Sequence, residues 1–99
     1  MINEKMILKD LKLVDFNRVV KDLEDMYDVD DLEIRFWSDE ECRDLGICYT
    51  HISYASNIKD LIIEARNLVD KLNYASVEIA DRNDKLLYFY DDEDEIIVY

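Results

Sequence analysis

The sequence contains no proline and a single glycine, Gly46. Proline- and glycine-rich linkers are therefore excluded, and 99 residues leave room for one domain with one core. A lone glycine also rules out a Gly-rich phosphate loop. The only histidine is His51, and no nucleophile elbow is present. Carboxylate pairs remain as candidates for acid–base work, but 25 acids produce such pairs by number alone. No enzymatic activity is expected and no catalytic residue is assigned.

Cysteine is equally scarce. Cys42 and Cys48 do not make a disulfide framework in a chain with a full apolar complement, so both thiols are expected to be reduced. Their spacing to His51, C-x5-C-x2-H, lacks the short knuckle of a zinc site. The acidic runs 28–31 and 91–95 lack the alternating ligands and central Gly of a calcium loop. No metal and no cofactor is expected. Met1 to Leu13 carries Glu4, Lys5, Lys9, Asp10 and Lys12, which does not read as a signal peptide. No run approaches the roughly 20 apolar residues of a membrane span, and anionic lipid would repel the chain. A cytoplasmic location is expected.

Basic residues are few. Twelve of them stand against 25 acids, for a net charge of −13, whereas a net charge of roughly 2–8 keeps a small domain soluble. The excess costs self-repulsion without a solubility return, so it calls for a functional or a halophilic explanation. An Ile- and Tyr-rich, Ala-poor apolar set argues against the halophilic one. At 49% apolar the chain is not a disordered acidic tail.

The periodicity predicts two helices. Ile58, Leu61, Ile62, Ala65, Leu68, Val69 and Leu72 form one stripe, with Asn57 as the cap and Arg66 and Asp70 one turn apart. Phe16, Val19, Val20, Leu23, Met26 and Tyr27 form another, with Asp15 as a candidate cap. Residues 4–14 either extend this helix or make a separate segment. Leu32 to Trp37 alternates with period two, Ile47 to Tyr54 is rich in β-formers, and Asp39–Gly46 connects them. Val77 and Ile79 precede a turn at Asp81–Asp84. Leu86 to Tyr90 and Ile96 to Tyr99 complete the strands, joined by Asp91 to Glu95. The expected fold is α+β: an antiparallel sheet of about four to five strands, two helices on one face, in the order α-β-β-α-β-β-β.

The charge is uneven along this order. Residues 1–21 balance to +2, from five bases and three acids. Residues 22–44 hold 11 acids and two bases, residues 45–57 carry no formal charge, and residues 76–99 hold eight acids and two bases. Many of the acids fall in connections, where carboxylates are expected to project into water. Asp28, Asp30, Asp31, Glu33, Asp39, Glu40 and Glu41 are the leading candidates for partner contact, with Asp91, Asp92, Glu93, Asp94 and Glu95 contributing. Whether these two blocks share a face is left open. Tyr27, Trp37, Tyr88, Tyr90 and Tyr99 interleave with them as candidate anchors, although Tyr88, Phe89 and Tyr90 equally fit a sheet core. Direct nucleic-acid binding lacks the basic patch it needs.

A dense carboxylate field is what a nucleic-acid mimic requires, because duplex DNA carries about one charge per 1.7 Å. In size, charge, lack of Pro and element order the whole chain resembles the small acidic inhibitors of bacteriophages and mobile elements. Anti-CRISPR proteins, anti-restriction proteins and uracil-DNA glycosylase inhibitors are examples. The resemblance is one of composition, with no shared motif, and no functional residue is carried over from it. It implies an inhibitor in the host-cell cytoplasm that blocks the DNA or RNA channel of a basic partner, such as a nuclease or CRISPR effector. The alternatives are an immunity protein or antitoxin capping a basic toxin site, or an assembly component pairing through its C-terminal strand. Monomer and homodimer both remain open.

Overall fold

Period-two segments and amphipathic stripes of this kind bury one face each, and a sheet backed by helices satisfies both. The computed structural model describes residues 5–7 and 13–98. Six strands form one antiparallel sheet: β1 (Lys5–Ile7), β2 (Leu32–Trp37), β3 (Tyr49–His51), β4 (Ser76–Asp81), β5 (Leu86–Asp91) and β6 (Glu95–Val98). Their spatial order is β1-β6-β5-β4-β2-β3. Three helices accompany them: α1 (Leu13–Met26), α2 (Glu40–Asp44) and α3 (Ile58–Asp70), with a 3-10 turn at Val29–Asp31. The chain is an α+β domain.

The registers place Ile34 opposite Ile79, Ile79 opposite Tyr88 and Tyr88 opposite Ile97. This row is fully buried, and it packs with Val19, Val20 and Leu23 of α1 and Ile58, Leu61, Ile62, Ala65 and Leu68 of α3. Burying each such aliphatic side chain contributes about 1.5–3 kcal/mol. Phe36 extends the core toward the sheet edge, stacked between Tyr49 and Tyr74 at centroid distances of 5.6 and 4.6 Å.

Asn57 caps α3 as expected, its Oδ1 accepting from the Asp60 amide at 2.8 Å. The turn at Asp81–Asp84 also forms where expected, with Asp81 accepting from the Asn83 and Lys85 amides at 2.9 Å each.

Several expectations are corrected. Asp15 lies inside α1, which begins at Leu13, so it is not the cap. Of the two readings left open for residues 4–14, residues 5–7 form a separate strand while residues 13 and 14 belong to α1; the expectations for residue 4, residues 8–12 and Tyr99 lie outside the described residues. The region 47–54 is strand only at Tyr49–His51. The connection after β2 folds into α2 because Asp39 accepts from the Cys42 amide at 2.7 Å. Gly46, at φ +72°, ends α2 as Gly46 and Ile47 donate back to the carbonyls of Arg43 and Cys42. The C-terminal strand is interior, flanked by β1 and β5, so it presents no edge for assembly.

Candidate acidic binding surface

Because β2 runs the length of the sheet, it separates the first acidic block into two groups. Trp37 pairs with Ser76 and Ser76 with Asp91, which defines one end; Leu32 and Asp81 define the other. Strand rise puts the two ends of β2 roughly 17 Å apart. Asp39, Glu40 and Glu41 emerge at the first end with α2, beside the β5–β6 turn. Asp28, Asp30 and Asp31 emerge at the second, around the 3-10 turn.

The α2 end gathers acids from distant parts of the chain. Asp39, Glu40, Glu41, Asp44, Asp92, Glu93 and Asp94 are all exposed there. Asp39, Glu40 and Asp92 border one cleft, about 370 Å³ in volume, with Arg43, Val69, Asn73 and Tyr74 among its other walls. Arg43 lies 3.9 Å from Asp91. Asp70, at the C-terminus of α3, accepts from the Tyr90 hydroxyl at 2.6 Å. That bond, together with burial, pushes the Tyr90 phenol up to about 12. The Asp39 carboxyl is held low by the Cys42 amide. Parts of the two blocks that are about fifty residues apart in sequence therefore share one end of the domain.

The 3-10 end carries ion pairs to two arginines. Arg35 binds Glu33 and Asp84 and lies 3.7 Å from Glu78, and Arg82 pairs with Asp31 at 3.0 Å. The bonds to Asp84 and Glu33 raise the Arg35 pKa despite some burial. Asp28 and Asp30 are exposed, with Asp28 capping the 3-10 turn. Glu33 is half-buried and committed to Arg35.

Two expected contact residues are not on the surface. Asp91 is 8% and Glu95 6% exposed. Asp91 folds back on its own turn, accepting from the Glu93 and Asp94 amides at 2.8 and 2.6 Å. Glu95 shares the helix-facing side of the sheet with Tyr88 and receives the Arg66 guanidinium and the Tyr88 hydroxyl. Arg66 therefore reaches across to Glu95. Burial lowers the Arg66 pKa, but the bonds to Glu95 and Tyr88 outweigh it and leave it raised. Tyr88, at 1% exposure, is core and not an anchor. Trp37 and Tyr90 are half-buried at the α2 end, and Tyr27 packs on the core.

The Cys42–Cys48–His51 segment disperses. Cys42 receives a bond from Ser38, Cys48 is exposed, and His51 Nε2 lies 2.8 Å from Glu64 on α3. Ser53 also donates to Glu64. Burial alone would raise the Glu64 carboxyl, but the bonds from Ser53 and His51 prevail and lower it. Among the described residues, no three His, Cys, Asp or Glu side chains converge as a metal site, and no helix is long and apolar enough to cross a membrane. No family model, curated protein or solved structure matches this chain.

Proposed function

We propose that this chain is a protein inhibitor that mimics nucleic acid, its α2 end filling the Lys/Arg-lined DNA or RNA channel of a basic partner. The observation that carries this reading is the convergence of segments 39–44 and 92–94 at one end of the sheet, where three of their seven exposed acids, Asp39, Glu40 and Asp92, border one cleft. The negative end of the α3 dipole and Asp70 add to the same field. Such a surface recruits a positively charged groove over long range and excludes the natural polyanion from it. The resemblance to the small acidic inhibitors of bacteriophages and mobile elements implies a host defence nuclease, such as a CRISPR effector, as the target class. The action is steric and electrostatic, with no chemical step, and takes place where that nuclease works, in the host cytoplasm.

Capture from a host lysate on the immobilised protein, eluted with a salt gradient and identified by mass spectrometry, tests this. The expected catch is a nucleic-acid enzyme that leaves at moderate salt and is displaced by added duplex DNA. A partner indifferent to both salt and DNA overturns the reading.

A further inference from the structure

Strand β3 forms an edge of the sheet, paired on one side with β2. Edge strands are commonly blunted by charge, Pro or a covering segment, because their free N–H and C=O groups template another strand. Residues 45–57 contain neither a charged residue nor a proline, in a chain that is 37% charged. Apolar side chains crowd the same stretch, with Leu45 67%, Ile52 73% and Tyr54 93% exposed. The inner side is pinned, since His51 and Ser53 both bind Glu64 on α3 and Tyr49 stacks on Phe36. The outer edge is thus held in place and presented.

Charge decides what fits there. Glu40, Glu41 and Asp44 of α2 precede the uncharged stretch, and the exposed Asp30 lines the cleft at its far end with Ile52. A second copy would set −13 against −13. We propose that β3 accepts an extended segment of the basic partner as a seventh strand, apolar at its centre and bearing Lys or Arg at its ends. Main-chain bonds supply the affinity and the flanking acids supply the choice of partner. This deepens the inhibitor reading and rests on its claim that the partner is basic.

The test uses a synthetic peptide with an alternating Val–Thr centre and paired Lys at each end. Its control keeps the Lys ends around a Gly–Ser centre. Amide hydrogen exchange is followed along the whole protein. The strand peptide is expected to slow exchange at residues 48–54 by roughly tenfold, as pairing protects edge amides. The neutral double variant Ile52→Ser, Tyr54→Ser, both at exposed positions, is expected to lose most of that protection. Equal slowing by the Gly–Ser control, or slowing confined to 39–44 and 91–94, overturns the proposal. So does slowing at 48–54 that follows protein concentration alone, which identifies a second copy as the occupant. Protection of 48–54 alongside failure of duplex DNA to displace the captured partner counts against mimicry and leaves the edge site standing.

Discussion

Glu95 receives both the guanidinium of Arg66 and the hydroxyl of Tyr88, joining α3 to the sheet on its core face. One carboxylate in an acidic turn is thus spent on the fold. Breaking a buried pair by removing one partner costs about 3–5 kcal/mol, against a total of about 5–15 for a typical domain. Glu95→Ala is expected to lower the stability measured by urea unfolding by that amount. Glu95→Gln, which still accepts from Tyr88, is expected to lose less. Equal midpoints for Glu95→Ala and the parent would show that the network contributes nothing.

Glu78 is expected to behave in the opposite way. Burial raises its carboxyl above the ordinary value of 4.5; Arg35 opposes the rise, and Asp84 and Glu33 add to it. A raised value means the folded state holds the proton more tightly than the unfolded one. Ionised Glu78 therefore costs stability above its folded pKa, and the cost disappears as pH falls below 4.5. Glu78→Gln is expected to be more stable than the parent at pH 7, with the advantage vanishing as pH falls below 4.5. Thermal melts across pH measure the difference, and a less stable Glu78→Gln at pH 7 contradicts it.

Gly46→Ala isolates a backbone effect. A Cβ at this position meets nothing within 4 Å, so the cost comes from φ +72° alone. The left-handed conformation costs a non-glycine residue about 1–2 kcal/mol. That loss is expected in chemical denaturation, with faster amide exchange in α2 as its local signature.

How far these features were legible depends on their range. The apolar stripe from Ile58 to Leu72 and the cap at Asn57 are local, and α3 formed where the pattern put it, except that it ends at Asp70 and leaves Leu72 outside and exposed. The short helix α2 had its signals too, with Asp39 before Glu40 and Glu41, Arg43 in the last turn and Gly46 beyond. Five residues without an apolar stripe left periodicity nothing to detect. Burial of Glu95 was not readable, because its reason, Arg66, lies 29 residues away on another element. The grouping of acids failed for the same reason. Sequence order joins Asp31 to Asp39, whereas β2 carries them to opposite ends and brings Asp39 beside Asp92.

Charge reversal separates the two ends. Glu40→Lys, Glu41→Lys and Asp94→Lys together are expected to weaken binding of the captured partner by at least roughly tenfold, mainly through association rate. The matching triple at Asp28, Asp30 and Asp31 is expected to do less. All six positions are exposed, but Asp28 caps the 3-10 turn and Asp31 pairs with Arg82. The second triple is therefore expected to cost about 0.5–2 kcal/mol at the cap, and thermal melts verify that both triples are folded. Surface plasmon resonance measures the binding, and equal losses from both triples contradict the assignment of the α2 end.

The most direct measurement is equilibrium competition between this protein and duplex DNA for the purified partner, repeated across a range of salt. Mutually exclusive binding is predicted, with the logarithm of affinity falling linearly as the logarithm of salt rises. A ternary complex of partner, DNA and this protein, held at an affinity that salt does not change, would contradict nucleic-acid mimicry.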